Sequence, residues 1–240
     1  MVYLLLRIIV VVLLFANLVN KQYENAFLCF LTLILFLLPF IIAEKFNLEV
    51  PSTLEIIILL FIFSAEILGE VNAFYQLVDN WDNILHTING FVMGAIGLSF
   101  VNLLNDVESI HIKLSPIFVV LVSFCFSMTV GVLWEFGEYA CDKVFNSDMQ
   151  KDTYINEIYS VKFDDSNSNK VIKKDINQVI IDGEEWKGYL DIGLMDTIHD
   201  LFVNLVGAIT FSIFGYFYLT NSKFRIVENL LIKKRGECHG

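Results

Sequence analysis

Three stretches of the chain place carboxylates, imidazoles and amides at helical spacing beside or inside apolar runs. The first is Asp82-Asn83-Ile84-Leu85-His86-Thr87-Ile88-Asn89-Gly90. Asp82 and His86 are four residues apart and share one helical face, with Asn89 three further on near that face. The second is Trp134-Glu135-Phe136-Gly137-Glu138-Tyr139-Ala140-Cys141-Asp142, where Glu135, Glu138 and Asp142 form a single stripe. The third is Asp196-Thr197-Ile198-His199-Asp200-Leu201-Phe202-Val203-Asn204, in which Asp196, Asp200 and Asn204 step by four and His199 follows Asp196 by three. Glu66 and Glu70 add one more pair at the end of an apolar segment. No Lys or Arg lies on these stripes.

Carboxylates packed together without a neighbouring cation either share protons or bind a metal ion. Oxygen donors with one or two imidazoles suit a divalent ion. Such an ion activates water or holds a phosphate-bearing substrate. The expected ligands are His86, Glu135, Glu138, Asp196 and Asp200. The expected reacting set is Asp82, His86, Glu135, Asp196 and Asp200, holding metal or serving as acid and base, with Asn89 and Asn204 orienting them. There is no HExxH, GxSxG or P-loop. The chemistry is therefore read no further than hydrolysis or group transfer on an envelope substrate. Two alternatives stand beside it: transport of a cation, proton or small solute, and a non-catalytic membrane protein with a buried polar network. The plain structural readings are helix capping for Asp82 and Asp196 and a solvated helix end for Glu138 and Asp142. Capping does not account for His86 and Asp200, which lie about one turn inside their helices.

The elements that must position these residues are membrane spans. Of 240 residues, 56% are hydrophobic and only 18% charged, and the mean hydropathy is +0.63. A soluble domain carries about a quarter charged residues, so a soluble enzyme or a disordered chain is excluded. The net charge of -11 argues against a nucleic-acid partner, because phosphate binding needs Lys and Arg to release counterions. Cys29, Cys125, Cys141 and Cys238 show no metal-finger or disulfide spacing.

A spanning helix needs about 20 mostly apolar residues. Six segments qualify: Val2 to Val19, Ala26 to Ala43, Leu54 to Gly69, Ile84 to Leu104, Ile117 to Gly137, and Ile198 to Leu219. Between the fifth and sixth, Tyr139 to Met195 carries 11 Asp and Glu and 7 Lys. Tyr159 to Phe163 and Gln178 to Ile181 read there as strands, and Asp182-Gly183 as a turn. The expected architecture is an all-α polytopic membrane protein with about six transmembrane helices and a small β-rich extracytoplasmic insertion. Residues 1–138 hold five helices, 139–195 the insertion, 196–220 the sixth helix, and 221–240 a basic tail. Lys223, Arg225, Lys233, Lys234 and Arg235 place that tail in the cytoplasm, and six crossings bring the N-terminus to the same side. His111 and His239 sit in polar stretches and read as solvated. The three stripes then share one depth near the outer surface, where unpaired ionisable groups cost several kcal/mol each. Facing one another across the bundle is their least costly arrangement. The lipid bilayer is the one partner that the sequence names, and it fixes no oligomeric state.

The stripes also resemble an uncharacterised family of bacterial membrane-spanning proteins, the YjdF-like inner-membrane proteins and their relatives in Gram-positive bacteria. Four stretches carry the resemblance: Trp-Asp-x-x-Leu-His-x-x-x-Gly-Phe (Trp81 to Phe91), Gly-Val-Leu-Trp-Glu-Phe-x-Glu (Gly131 to Glu138), Asp-Met-Gln-Lys (Asp148 to Lys151), and Gly-Tyr-Leu-Asp-Ile-Gly-Leu-x-Asp-Thr-x-x-Asp-Leu-x-x-Asn-x-x-Gly-Ala (Gly188 to Ala208). It spans roughly residues 55 to 220. It implies a multi-helix protein of the bacterial cell membrane and supplies no activity. The resemblance also implies that His199 stands at a position expected to vary among such proteins, which argues against it as a ligand.

Overall fold

A computed structural model of the chain describes residues 2–105, 114–166, 168–221 and 224–236. His111, Lys113, Lys223, Cys238 and His239 lie outside these. Among the described residues the protein is mostly helical, and five helices are long and apolar enough to cross a membrane: Val2–Val19, Tyr23–Phe46, Trp81–Asn105, Pro116–Phe145 and Leu194–Thr220.

Helix α1 (Val2–Val19) carries a single charge, Arg7, whose guanidinium stacks over the Tyr3 ring at 3.9 Å. The second apolar segment is two helices, α2 (Tyr23–Leu35) and α3 (Leu38–Phe46). The break has a local cause. Pro39 has no N–H for the Leu35 carbonyl, and its ring clashes with the carbonyl four residues back. A two-residue strand β1 (Leu48–Glu49) follows.

The third apolar segment also changes character. It starts as α4 (Ser52–Ile62) and continues as a nine-residue π-helix (Phe63–Val71) that holds Glu66 and Glu70. Neither piece is long enough to span alone, so this segment is absent from the five, whereas Tyr23–Phe46 counts as one span although it is broken into α2 and α3. A short α5 (Phe74–Leu77) leads into α6 (Trp81–Asn105). Then come α7 (Pro116–Phe145) and, after the polar insertion, α8 (Leu194–Thr220).

The chain divides into two compact units, Met1–Val132 with Asp200–Gly240, and Leu133–His199. In the first unit, α6 and α8 run parallel at glycine contacts. A Cβ on Gly90 would strike the Asn204 carbonyl, and one on Gly207 would strike the Thr87 carbonyl. Only hydrogen at those two positions lets the backbones approach. The α7 residues of this unit run the other way: Ser127 Oγ donates to the Gly90 carbonyl (2.7 Å) and Ser123 Oγ to the Gly94 carbonyl (2.6 Å).

Two apolar clusters complete the unit. One joins Leu6, Val10, Cys29, Phe36, Leu59 and Ile67. The other joins Leu98, Val119 and Phe211 to Val227, Leu230 and Leu231 of the C-terminal segment. That segment is not a free basic tail. It forms a 3-10 helix (Arg225–Leu230) and a strand, β8 (Lys233–Lys234), antiparallel to β1. The Ile232 N–H donates to Ser99 Oγ at 2.9 Å, and Arg235 pairs with Glu44 at 2.6 Å. Its apolar residues are spaced among the charges, and burying them outweighs the solvation of a loose tail.

The second unit is built on hairpins. Strands β2 (Tyr154–Ile155) and β7 (Tyr189–Leu190) pair, as do β3 (Glu157–Ser160) with β4 (Ile172–Asp175), and β5 (Val179–Ile181) with β6 (Glu184–Trp186). The β5–β6 turn is Asp182-Gly183, both at positive φ (49° and 87°), the backbone of a type I′ hairpin. The expected strand at Tyr159 to Phe163 ends at Ser160, because Val161–Phe163 turns as a 3-10 helix. Helix α7 continues to Phe145, past the apolar run, so Tyr139 to Phe145 is helical.

Candidate functional site

Three of the sequence-predicted residues meet in the first unit. Asp82 stands in the first turn of α6 and His86 one turn later. Asp200 lies on the parallel helix α8, so both helices bring their N-terminal halves to the same end of the bundle. His86 Nε2 is 3.5 Å from Asp82 Oδ1 and 3.8 Å from Asp200 Oδ2. One ligand atom from each residue lies within 4.8 Å of the other two. The His86 and Asp200 side chains are 8% and 2% exposed, and Asp82 is 33% exposed. The trio is therefore closed on the helix-packing side and reachable from the Asp82 side.

The distances say what this arrangement can hold. A charge-assisted hydrogen bond between nitrogen and carboxylate oxygen runs about 2.7–2.9 Å. The two separations from Nε2 are longer. Ligands about 2.0–2.2 Å from a tetrahedral ion are about 3.3–3.6 Å apart, and six oxygen ligands at about 2.3–2.6 Å give similar spacings. The 3.5 Å separation falls in that range, the 3.8 Å separation is slightly longer, and the three residues form a group that could hold a metal ion.

Below it lies a polar lock. Asn204 is fully buried. Its Oδ1 accepts from Asn89 Nδ2 (3.2 Å), its Nδ2 sits 3.6 Å from Met128 Sδ, and Gly131 leaves room for its amide. The expected role of Asn89 and Asn204 in orienting the site thus takes the form of a bond between them, one turn beneath His86 and Asp200.

The remaining expected ligands, Glu135, Glu138 and Asp196, belong to the second unit. Glu135 and Glu138 are in the second unit, both buried, and Trp134 Nε1 donates to Glu138 Oε1 at 2.8 Å. Asp196 Oδ2 accepts the Lys151 N–H at 2.8 Å, also in the second unit. His199 is exposed. Glu66 and Glu70 are not in the trio.

Sequence reading missed Asp191 and gave Asp142 only a place in a stripe or a solvated helix end, but both aspartates anchor the insertion. Asp191 accepts the N–H groups of Thr153 (2.9 Å), Gly193 (3.3 Å) and Met195 (2.8 Å). It caps α8 and ties the chain before β2 to the chain after β7. It holds Ile192 at φ 53°, a left-handed backbone that a β-branched residue rarely adopts. Asp142 accepts from the N–H groups of Met149 (2.6 Å) and Gln150 (2.9 Å) and from Ser147 Oγ (2.9 Å). Four of these six partners are contributed by residues 147–153, next to the Asp-Met-Gln-Lys stretch. The signal was there: both aspartates belong to or border the shared stretches, but their partners are backbone groups that leave no trace in side-chain spacing.

Comparison with known proteins agrees with this description. A sequence model of the family described as "Predicted membrane protein (DUF2238)" matches residues 1–221. An uncharacterised protein of Thermotoga maritima is 26% identical over 106 residues, which are 44% of this chain and 53% of that protein. The chain thus spans about half the length of this curated relative. No solved structure matches. These matches bear out the resemblance to an uncharacterised family of bacterial membrane proteins.

Proposed function

The chain belongs to the DUF2238 family of predicted membrane proteins, and from that premise we propose that it holds a divalent cation between Asp82, His86 and Asp200. It would use the cation for hydrolysis or group transfer on an envelope or membrane-associated substrate. The observation that carries this reading is the spacing of three donors from two parallel helices, with His86 Nε2 3.5 and 3.8 Å from two carboxylate oxygens. Two carboxylates balance a divalent charge, and three protein ligands leave coordination positions for water or substrate. A bound ion would lower the pKa of its water and offer a point of attachment for a phosphate or carbonyl oxygen. Glu135, Glu138 and Asp196 lie in the other unit, and the proposed site is confined to the trio. The cell membrane is the expected location. Basic residues of the C-terminal segment support cytoplasmic termini, and with the termini on that side the trio would face outward.

The test is metal analysis of the purified protein, wild type against His86→Ala and Asp200→Asn. Wild type retains about one equivalent after exposure to divalent ions and desalting, and each variant binds at least about tenfold more weakly. Equal, near-zero metal in all three removes the site. A second reading draws on the Asn89–Asn204 bond and the serine bonds to Gly90 and Gly94. In it, the same polar groups only fix how α6, α7 and α8 pack. Its mark is a loss of thermal stability in Asp200→Asn that is the same with and without metal.

A further inference from the structure

Two adjoining cavities of about 340 and 400 Å³ lie along the same bundle. Ile57 of α4 and Phe91 of α6 line both, so the two form one groove. Its lower part is walled by Phe214, Phe224 and Leu230, and its upper part by Thr87, Gly207 and Thr210. The threonines add little polarity. Thr87 Oγ1 donates to the Asn83 carbonyl and Thr210 Oγ1 to the Val206 carbonyl, each at 2.7 Å, so both hydroxyls are turned onto their own helices. The groove opens sideways beside Ile88 and Ile226, which are 37% and 67% exposed.

From these features we infer that the groove holds one acyl chain of a bilayer phospholipid, with its phosphate headgroup toward Asp82, His86 and Asp200. The upper part is walled mainly by the spanning helices α6 and α8, where there is no water to fill a gap. Apolar space of this size left empty forfeits dispersion contacts along its whole lining. Hydrocarbon is the filling the bilayer supplies. The shape suits a chain: from Gly207 to Phe214 the groove follows α8 for about 10 Å at 1.5 Å per residue, and it continues to the C-terminal segment. Its upper end sets the polarity. Thr87 is the residue after His86, so a chain seated below Thr87 brings its ester and phosphate to the level of the trio. A phosphate oxygen is a ligand that a hard divalent ion accepts. The headgroup half of this inference rests on the cation-site reading; the chain half does not.

The test uses the full-length protein in phosphatidylcholine nanodiscs containing phosphatidylglycerol with a photoreactive diazirine on one acyl chain. Adducts are mapped by peptide mass spectrometry. They concentrate in residues 87–92 and 207–214 relative to α1, a lipid-facing helix that serves as the internal control. Thr210→Trp and Thr53→Trp fill the groove from exposed positions, where folding does not depend on the side chain. Each lowers the enrichment about tenfold, as an overfilled site does. Even labelling of α1 and α6, or enrichment that both tryptophans leave unchanged, overturns the inference. Metal content separates the two claims. Enriched adducts on a protein that binds no metal uphold the chain site and end the cation site. Uniform adducts on a metal-loaded protein do the reverse.

Discussion

Asp164 and Asp200 are the same residue type used in opposite ways. Asp200 is buried between helices. Asp164, in the long turn between β3 and β4, gathers the N–H groups of Ser166 (3.0 Å), Ser168 (3.0 Å) and Lys170 (3.1 Å) and the hydroxyls of both serines. The Ser166 hydroxyl, followed by the backbone donors, holds the Asp164 carboxyl well below the usual carboxylate range. The sign of the pH effect follows. A folded-state value depressed below the unfolded one, about 3.9, gives stabilisation that is complete above about pH 4 and is lost only as pH falls through the folded value. Amide exchange at Ser166, Ser168 and Lys170 is therefore expected to stay slow at both pH 5 and pH 3 in the wild type and to speed up at both in Asp164→Ala. Wild-type amides that exchange as fast as the variant's at pH 5 would show that the turn does not form these bonds. At this scale the sequence is legible where a side chain meets a side chain. The four-residue step from Asp82 to His86, and the depth of Asp200 inside its helix, point to the observed trio. It is illegible where a side chain meets backbone, as at Asp164, Asp191 and Asp196. Lys151 donates to Asp196 through its N–H, a group every non-proline residue has.

Elements in this protein are set by what their backbones can approach. The α6–α8 contact is fixed by Gly90 and Gly207, each against a carbonyl of the other helix. Gly207→Ala forces the helices apart, and a cost of about 1–3 kcal/mol is expected, read as a lower midpoint in thermal or detergent unfolding. Gly137→Ala on α7 is the control. Nothing lies within 4 Å of a Cβ there, and alanine favours the helix over glycine by about 1 kcal/mol. A Gly207→Ala midpoint equal to that of Gly137→Ala would mean that the two helices do not pack through these glycines. Gly90, Gly94 and Gly97 are spaced along one apolar span, and small residues of this kind let hydrophobic helices pack closely. The α-to-π change at Phe63 was not legible. An apolar run reads alike as α or π, since an all-apolar segment marks no face by which the wider i→i+5 turn could be told from the α turn. The docked C-terminal segment was missed for a related reason. Its lysines and arginine dominate composition, while Val227, Leu230 and Leu231, at 1%, 7% and 2% exposure, decide where it goes.

For the whole molecule, the parallel course of α6 and α8 fixes more than the number of crossings does. Two parallel spans begin on the same membrane face whatever happens at the third apolar segment, so the trio keeps one address even if that segment, split between α and π, fails to cross. The opposite end of α6 carries the other marker. Ser99 accepts from Ile232, and β8 pairs with β1, so Lys233, Lys234 and Arg235 sit at the end of the bundle away from Asp82. Cations near helix ends favour the cytoplasmic face. These facts combine into one labelling experiment on a chain whose four cysteines are replaced. Asn80→Cys, exposed at the start of α6, is expected to react with a membrane-impermeant maleimide in intact cells. Lys234→Cys, exposed on β8, is expected to react only after permeabilisation. The reverse pattern would invert the orientation and turn the trio toward the cytoplasm, leaving its geometry intact. Labelling of both from one side would contradict the fold itself, because a 25-residue α6 is about 37 Å long at 1.5 Å per residue, against a hydrocarbon core of about 30 Å.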